Sequence, residues 1–304
     1  MSLPLVFHPD YSPPLPAGHR FPMLKYRLLH EHLRETLPEA RYHTPEDAGL
    51  DCIALAHERS YIERFLAGAL SPREERQLGL PWSEALVRRT LRAVGGSLLT
   101  AELALHHGLA CNLAGGTHHA HWAHPAGFCV FNDLAVMART LQARGEASRI
   151  LILDCDVHQG DGTARILAEE PELITVSLHG ADNFPFDKAC SDWDLPLASG
   201  TGDAEYLRQL DGLLSYLLAL YQPDLVLYDG GVDVHAEDAL GKLALSDAGI
   251  AARDWHVFEQ CLGRDIPVAC VIGGGYHPDH ARLARRHAIL EHTAMQAWRA
   301  FGLS

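Results

Sequence analysis

The sequence predicts an α/β fold: a single domain, residues 1–304, built on a parallel β-sheet flanked by helices on both faces. Three observations carry that prediction. Short, nearly continuous apolar runs rich in Val, Ile and Leu alternate with longer stretches of helical periodicity. A chain of 304 residues, 47% hydrophobic and 21% charged, can bury one large core. No repeat, low-complexity segment or linker divides it.

The elements follow in order. "PLVF" near residue 5 reads as a strand, and the Pro-rich stretch 9–16 as a surface loop. Helical patterns cover 22–37 and 83–107, the second with a weak point at Gly95-Gly96. "ACNLAGG" (110–116) is a strand entering a glycine turn, and Asn132 caps a helix over 133–143. "RILILD" (149–154) is a buried strand, followed by a helix near 161–169 and the strand "LITVSLH" (173–179). A long helix spans 201–221 with Asp203 as its cap. "PDLVLYDGG" (223–231) is a strand, 246–263 a helix, "PVACVIGGG" (267–275) the last strand, and a helix fills most of 279–300.

Composition narrows the function. Twenty-five basic and 39 acidic residues give a net charge of −14, which argues against general nucleic-acid binding. No apolar run reaches the roughly 18 residues of a membrane span, and "MSLPLVFHPDYSPPLP" lacks the basic-then-apolar order of a signal peptide. Seven scattered cysteines (52, 111, 129, 155, 190, 261 and 270), never in a C-x-x-C pair, point to buried thiols in a reducing cytoplasm. Of 20 histidines, His106 and His107 suit a helix C-terminus.

The chemistry-bearing residues gather at strand ends. Thr117, His118 and His119 follow one predicted strand. Asp154, Asp156 and His158 follow another, Asp233 a third and Tyr276 a fourth. In a parallel sheet these positions share the carboxyl edge, where open α/β folds bind ligands. A lone aspartate there is ordinarily a turn former. Tandem histidines are ordinarily structural, and a tyrosine after three glycines can simply pack. Several such groups at one edge point instead to a site.

Within "LDCDVHQGDG" (153–162), residues two apart in an extended chain point the same way, so Asp156 and His158 can grip one cation. Asp233 completes three protein ligands and leaves a position open, the pattern of catalytic zinc. Mixed O/N ligation equally admits iron, manganese or cobalt. Asp154 lies on the same side as ligand or as support, and Cys155 points away into apolar surroundings. The glycines at 115–116, 230–231 and 273–275 let main chain approach a ligand. The last run lacks the G-x-x-x-x-G-K-[ST] of a phosphate loop.

"GGTHHA", "GFCVFND", "DCDVHQGDG", "TVSLHG", "GGVD" and "GGGY" together resemble the histone deacetylase superfamily, over about residues 4 to 290. "LPLASGTGDAEYL" and "ALGKLALSDAGIAARD" lean toward its class IV-like or bacterial branch. The resemblance implies the arginase-like α/β fold and a zinc-dependent amidohydrolase acting on acyl-lysine. It implies zinc ligands Asp156, His158 and Asp233. His118 and His119 would stand beside the reacting water, backed by Asp154 and Asp161, with His119 as general base. Tyr276 would polarise the acyl carbonyl. Gly127, Phe128, Phe184, Gly274 and Gly275 would line the substrate channel. A structural potassium ion would sit near Asp154, Ser177 and the carbonyls of Asp156, His158 and Leu178. Arg20 is expected in the interior below the metal, and His121-Trp122 with His124-Pro125 in an altered rim.

Other readings stay open. The substrate can be a protein acyl-lysine, an acetylpolyamine or another small acylated amine. A binuclear manganese ureohydrolase would need Asp-x-His-x-Asp, and here Gly160 stands at the last position, with His235 a conceivable ligand for a second ion. A non-catalytic acyl-lysine binder would have no use for His118, His119 and Tyr276 together.

Overall fold

The computed structural model describes residues 2–304. Eight strands form one sheet: β1 (Pro4–Val6), β2 (Arg41–His43), β3 (Leu109–Asn112), β4 (Ile150–Asp154), β5 (Leu173–Gly180), β6 (Trp193–Leu197), β7 (Leu225–Asp229) and β8 (Val268–Val271). Their order is β2-β1-β3-β8-β7-β4-β5-β6, and every neighbouring pair is parallel. Every residue of β3, β4, β5, β7 and β8 is buried, as strands covered on both faces must be.

The helices are α1 (Lys25–Thr36), α2 (Leu50–Ile53), α3 (Arg59–Leu66), α4 (Pro72–Leu78), α5 (Glu84–His107), α6 (Asp133–Arg144), α7 (Asp161–Leu167), α8 (Asp203–Tyr221), α9 (Asp247–Leu262) and α10 (His280–Ala300). α5 packs on β1, β3 and β8 and carries α6 beside it, with α7 next to α6. On the other face α1, α10, α9 and α8 pack side by side. Among the described residues no helix is long and apolar enough to cross a membrane.

Three local expectations change. α5 runs unbroken across Gly95-Gly96, where Cβ atoms would lie 2.0 Å from the Glu46 carbonyl and 2.0 Å from the Tyr11 hydroxyl, so these positions admit close neighbours rather than a break. Asp203 does not cap its own helix, whose N-cap is Gly202. Its carboxylate instead accepts from the main-chain N–H and hydroxyl of Ser246, the cap of α9. The Pro-rich loop sends Tyr11 fully inside, where its hydroxyl donates to Asn112. Asn132, as expected, accepts from Ala135 N at the start of α6. All seven cysteines are unpaired, five of them buried, with Cys190 exposed.

Candidate metal centre and active site

The carboxyl edges of β4 and β7 adjoin, with Asp154 in register opposite Asp229. β4 stops at Asp154, and the chain bends through Asp156–His158 instead of continuing extended. The bend is hydrogen-bonded: Asp154 Oδ1 accepts from Asp156 N (3.0 Å), and Asp156 Oδ1 accepts from His158 N (2.9 Å). His158 Nδ1 then lies 2.9 Å from Asp156 Oδ1 and 3.1 Å from Asp233 Oδ2. Donors held 2.0–2.1 Å from a tetrahedral zinc stand roughly 3.3 Å apart, so these two edges fit one small cation. All three side chains are buried.

The three side chains of this candidate ligand set are fixed from outside. Asp233 Oδ1 accepts from Val157 N (2.8 Å), and Asp156 Oδ2 from Gly274 N (2.7 Å). A Cβ at Gly274 would fall 2.1 Å from Asp233 Oδ2 and 2.4 Å from Asp156 Oδ2, so only glycine lets the main chain donate there. The fully buried Arg253 of α9 donates to the carbonyls of Gly230 (3.0 Å), Gly231 (2.7 Å) and Cys155 (3.3 Å), tying the loops after β4 and β7 together. Asp254 pairs with Arg253 at 2.9 Å, and Tyr228 donates to Asp254.

The tandem histidines differ. His118 Nδ1 donates to Asp154 Oδ2 at 2.7 Å, and His119 Nδ1 to Asp161 Oδ1 at 2.7 Å. A carboxylate only accepts, so each Nδ1 carries its proton and each Nε2 is left for chemistry. Burial pushes His118 down, but the charges of Asp154 and Asp156 outweigh it and hold its pKa well above the usual imidazole range. Burial and the positive His118 push His119 down to about 4, despite Asp161. The two environments drive the neighbouring rings, 4.1 Å between centroids, in opposite directions: His118 toward the protonated form and His119 toward the free base.

Two cavities meet at Tyr276. The outer one, about 570 Å³, is lined by Gly127, Phe128, Phe184, His119, His158 and Tyr276 among others. The inner one is only about 30 Å³ and touches His118, Asp156, Gly274 and Tyr276, with the buried Lys25 and Arg89 on its far side. Phe128 sits at φ 66°, outside the usual range for a side-chain-bearing residue. Its N–H donates to Leu78 O, and that of Gly127 to Gln77 O, so the end of α4 holds this wall. A Cβ on Gly127 would come 2.6 Å from the His119 ring. Gly275 lines neither cavity. It turns toward His287, whose Nε2 would lie 2.7 Å from a Cβ there. Arg20 is exposed at the mouth, its guanidinium 4.9 Å above the Phe128 ring, because the loop before α1 crosses outside that ring.

Asp154 and Ser177 are register partners on β4 and β5, and Gly180 N donates to Val157 O, which places the 156–158 loop beside the end of β5 where Leu178 lies. The rim histidines are engaged: His121 Nε2 stands 3.2 Å from Asp161 Oδ2, so one carboxylate serves two imidazoles. His235 faces away, 3.3 Å from Asp247, and its Nδ1 accepts from Glu237 N. A Cβ at Gly160 would lie 2.3 Å from Asp154 Oδ2, leaving no room for the aspartate a ureohydrolase pair would need.

Sequence reasoning passed over four supporting acids and bases besides Asp254. Asp133 accepts from Gly116 N and Thr117 N and pairs with the Thr117 and Ser97 hydroxyls, setting the turn before His118. Asp238 accepts from Tyr276 N at 2.7 Å. Asp229 is wholly buried, with neither carboxyl oxygen hydrogen-bonded. Burial and Asp154 hold its pKa far above the carboxylate range, so it stands as a neutral acid beside the His118–Asp154 pair. Arg253 is the fourth.

A family profile described as the histone deacetylase domain matches residues 19–291, on top of this geometry. The chain belongs to the histone deacetylase superfamily. The all-parallel eight-stranded sheet is the arginase/deacetylase fold of that family. An uncharacterized protein of Picosynechococcus is 50% identical over 303 residues, covering 98% of this chain and all of that one. Histone deacetylase 2 of Arabidopsis thaliana is 35% identical over 195 residues, 63% of this chain and 50% of its own length. A probable deacetylase of Methanothermobacter thermautotrophicus is 27% identical over 291 residues, 90% of this chain and 86% of its own.

Proposed function

We propose that this histone deacetylase superfamily member is a zinc-dependent deacetylase that hydrolyses an acetyl-lysine-type amide in the cytoplasm. The observation that supports it most is the meeting of Asp156, His158 and Asp233 at 2.9–3.1 Å, beside a neutral imidazole and a tyrosine hydroxyl. A divalent cation held there would acidify a water and polarise the acyl oxygen. His119 Nε2 takes the water's proton and later returns it to the leaving amine, help typically worth ~10²–10⁴-fold. His118 stays charged and stabilises the developing negative charge. Tyr276 donates to the oxyanion. The inner cavity of about 30 Å³ holds an acetyl methyl and little more. Asp154, Ser177 and the neighbouring carbonyls, all oxygens, suit a structural potassium ion. Seven unpaired thiols fit a reducing compartment.

The experiment is turnover of an acetyl-lysine peptide, with and without chelation and zinc restoration. Activity that disappears with the metal and returns with it supports the reading. Undiminished activity in the stripped protein contradicts it, and octanoyl-lysine cleaved as fast as acetyl-lysine contradicts the small acyl cavity. The pH profile is a second check. A general base works only unprotonated, so activity falls as pH drops through its pKa. With His119 pushed to about 4, the acid limb of kcat/KM is expected well below the ordinary imidazole value of 6.5. An acid limb at or above 6.5, in protein shown by elemental analysis to keep its metal, would remove His119 as the base.

A further inference from the structure

The chain is strongly acidic, 39 acidic residues against 25 basic, yet the mouth of its channel has the opposite sign. Arg20 from the loop before α1, Arg76 from the last turn of α4 and Lys242 from the loop after β7 converge on the outer cavity. Among its exposed lining residues the only acid is Asp182. Three segments far apart in sequence supply these cations, so no local charge run accounts for them.

We infer that the substrate carries a carboxylate at the far end of the aliphatic chain that bears its acylated amine, and that Arg20 and Arg76 recognise it. This rests on the deacetylase reading above. Neither guanidinium has an ion-pair partner among the described residues, whereas nearby Glu74 is taken by Arg64 and the Asp182 carboxylate by the Ser199 hydroxyl. Lys242 is partly used: its Nζ donates to the Asp182 carbonyl. Asp161 also borders the cavity, but His119 and His121 occupy both its oxygens. Two unclaimed guanidinium forks are suited to a carboxylate, which they can bind through paired N–H donors. Arg20 is held for the task by stacking on Phe128. The exposed Phe184 and Phe186 offer apolar wall to the aliphatic chain between carboxylate and amide. The same cations work against a polyamine, whose remaining ammonium groups would meet like charge at the rim. Of the small acylated amines, anionic N-acyl amino acids therefore fit and acetylpolyamines do not.

The carboxylate has two possible sources, the α-carboxylate of a free acyl-amino acid or acidic side chains flanking an acyl-lysine in a protein. The test is steady-state turnover by the metal-loaded full chain, read as release of the ε-amine. The substrates are Nα,Nε-diacetyl-lysine (anionic), its methylamide (neutral), N-acetylputrescine (cationic), and acetyl-lysine peptides with acidic or basic flanks. Anionic over neutral substrate is expected by on the order of 10-fold in kcat/KM at low ionic strength, narrowing as salt is added. The same ratio should fall toward or below one in Arg20→Glu and Arg76→Glu. Preference for the free acid alone assigns a small-molecule substrate, and preference for acidic flanks alone assigns a protein. Turnover of the neutral substrate with no charge preference, or faster turnover of acetylputrescine, overturns this inference and leaves the deacetylase reading standing. Turnover of none of them overturns both.

Discussion

Asp156→Ala is expected to yield a folded protein that no longer holds its divalent cation and has lost more than ~10³-fold in kcat/KM. Disturbing groups outside the ligand set already costs ~10–100-fold at metal sites, and Asp156 is itself a ligand in this account. Folding should survive. Asp156 lies in one buried cluster with His158 and Asp233, and its charge bears on the Asp233 carboxyl, so without a cation its removal relieves like-charge repulsion as well as deleting hydrogen bonds from Gly274 N and His158 N. The distinguishing signature is thermal. A ligand that binds only the native state raises stability by RT ln(1 + [L]/Kd), so added zinc should raise Tm in the parent chain and not in the variant. A metal-replete, active Asp156→Ala protein would show that the ligand set is wrong.

Tyr276→Phe should behave differently. The Tyr276 main chain is anchored on both sides, its N–H to Asp238 and its carbonyl to Ala239 N, so the phenylalanine ring keeps its place. Burial and the charges of Asp156 and Asp233 push the phenol pKa well up, so it is a proton donor throughout the neutral range. No protein group among the described residues uses that hydroxyl, which is consistent with its being kept for substrate. Losing one oxyanion donor typically costs about 2.7–4 kcal/mol, or ~10²–10³ in kcat. Metal content and KM should barely move. Near-parental turnover would remove the oxyanion role.

How legible each part was follows from burial. β4, β5, β7 and β8 are enclosed on both faces and read as continuous apolar runs. The edge strands β2 ("RYH") and β6 ("WDLPL") have no such run. β2 is partly exposed throughout, exposed residues alternate along β6, and Pro196 is tolerable in β6 because that edge donates to no further strand. α2, α3 and α4, four to eight residues long, are too short to show a period. Asp203 looked like a cap because it opens a helical pattern, but its bonding partner, Ser246, lies 43 residues away.

The residues proposed to hold the metal were readable because each lies just past a strand, where sheet topology alone brings distant segments together. Their support was not. Arg253 falls inside a helical pattern, where a charge normally marks the solvent face, yet it is fully buried. Asp238 and Asp133 act on main-chain N–H groups, which leave no mark in the sequence. Arg20 was expected inside because no pattern tells which side of the Phe128 ring a loop will pass.

The central claim is that Asp156, His158 and Asp233 enclose one divalent cation. Anomalous diffraction from crystals of the zinc-loaded protein, recorded on both sides of the zinc absorption edge, tests it most directly. The account predicts a single zinc peak within bonding distance of His158 Nδ1, Asp156 and Asp233. Two peaks in that cavity, or one bound elsewhere with these three side chains left bonded only to each other, would contradict it.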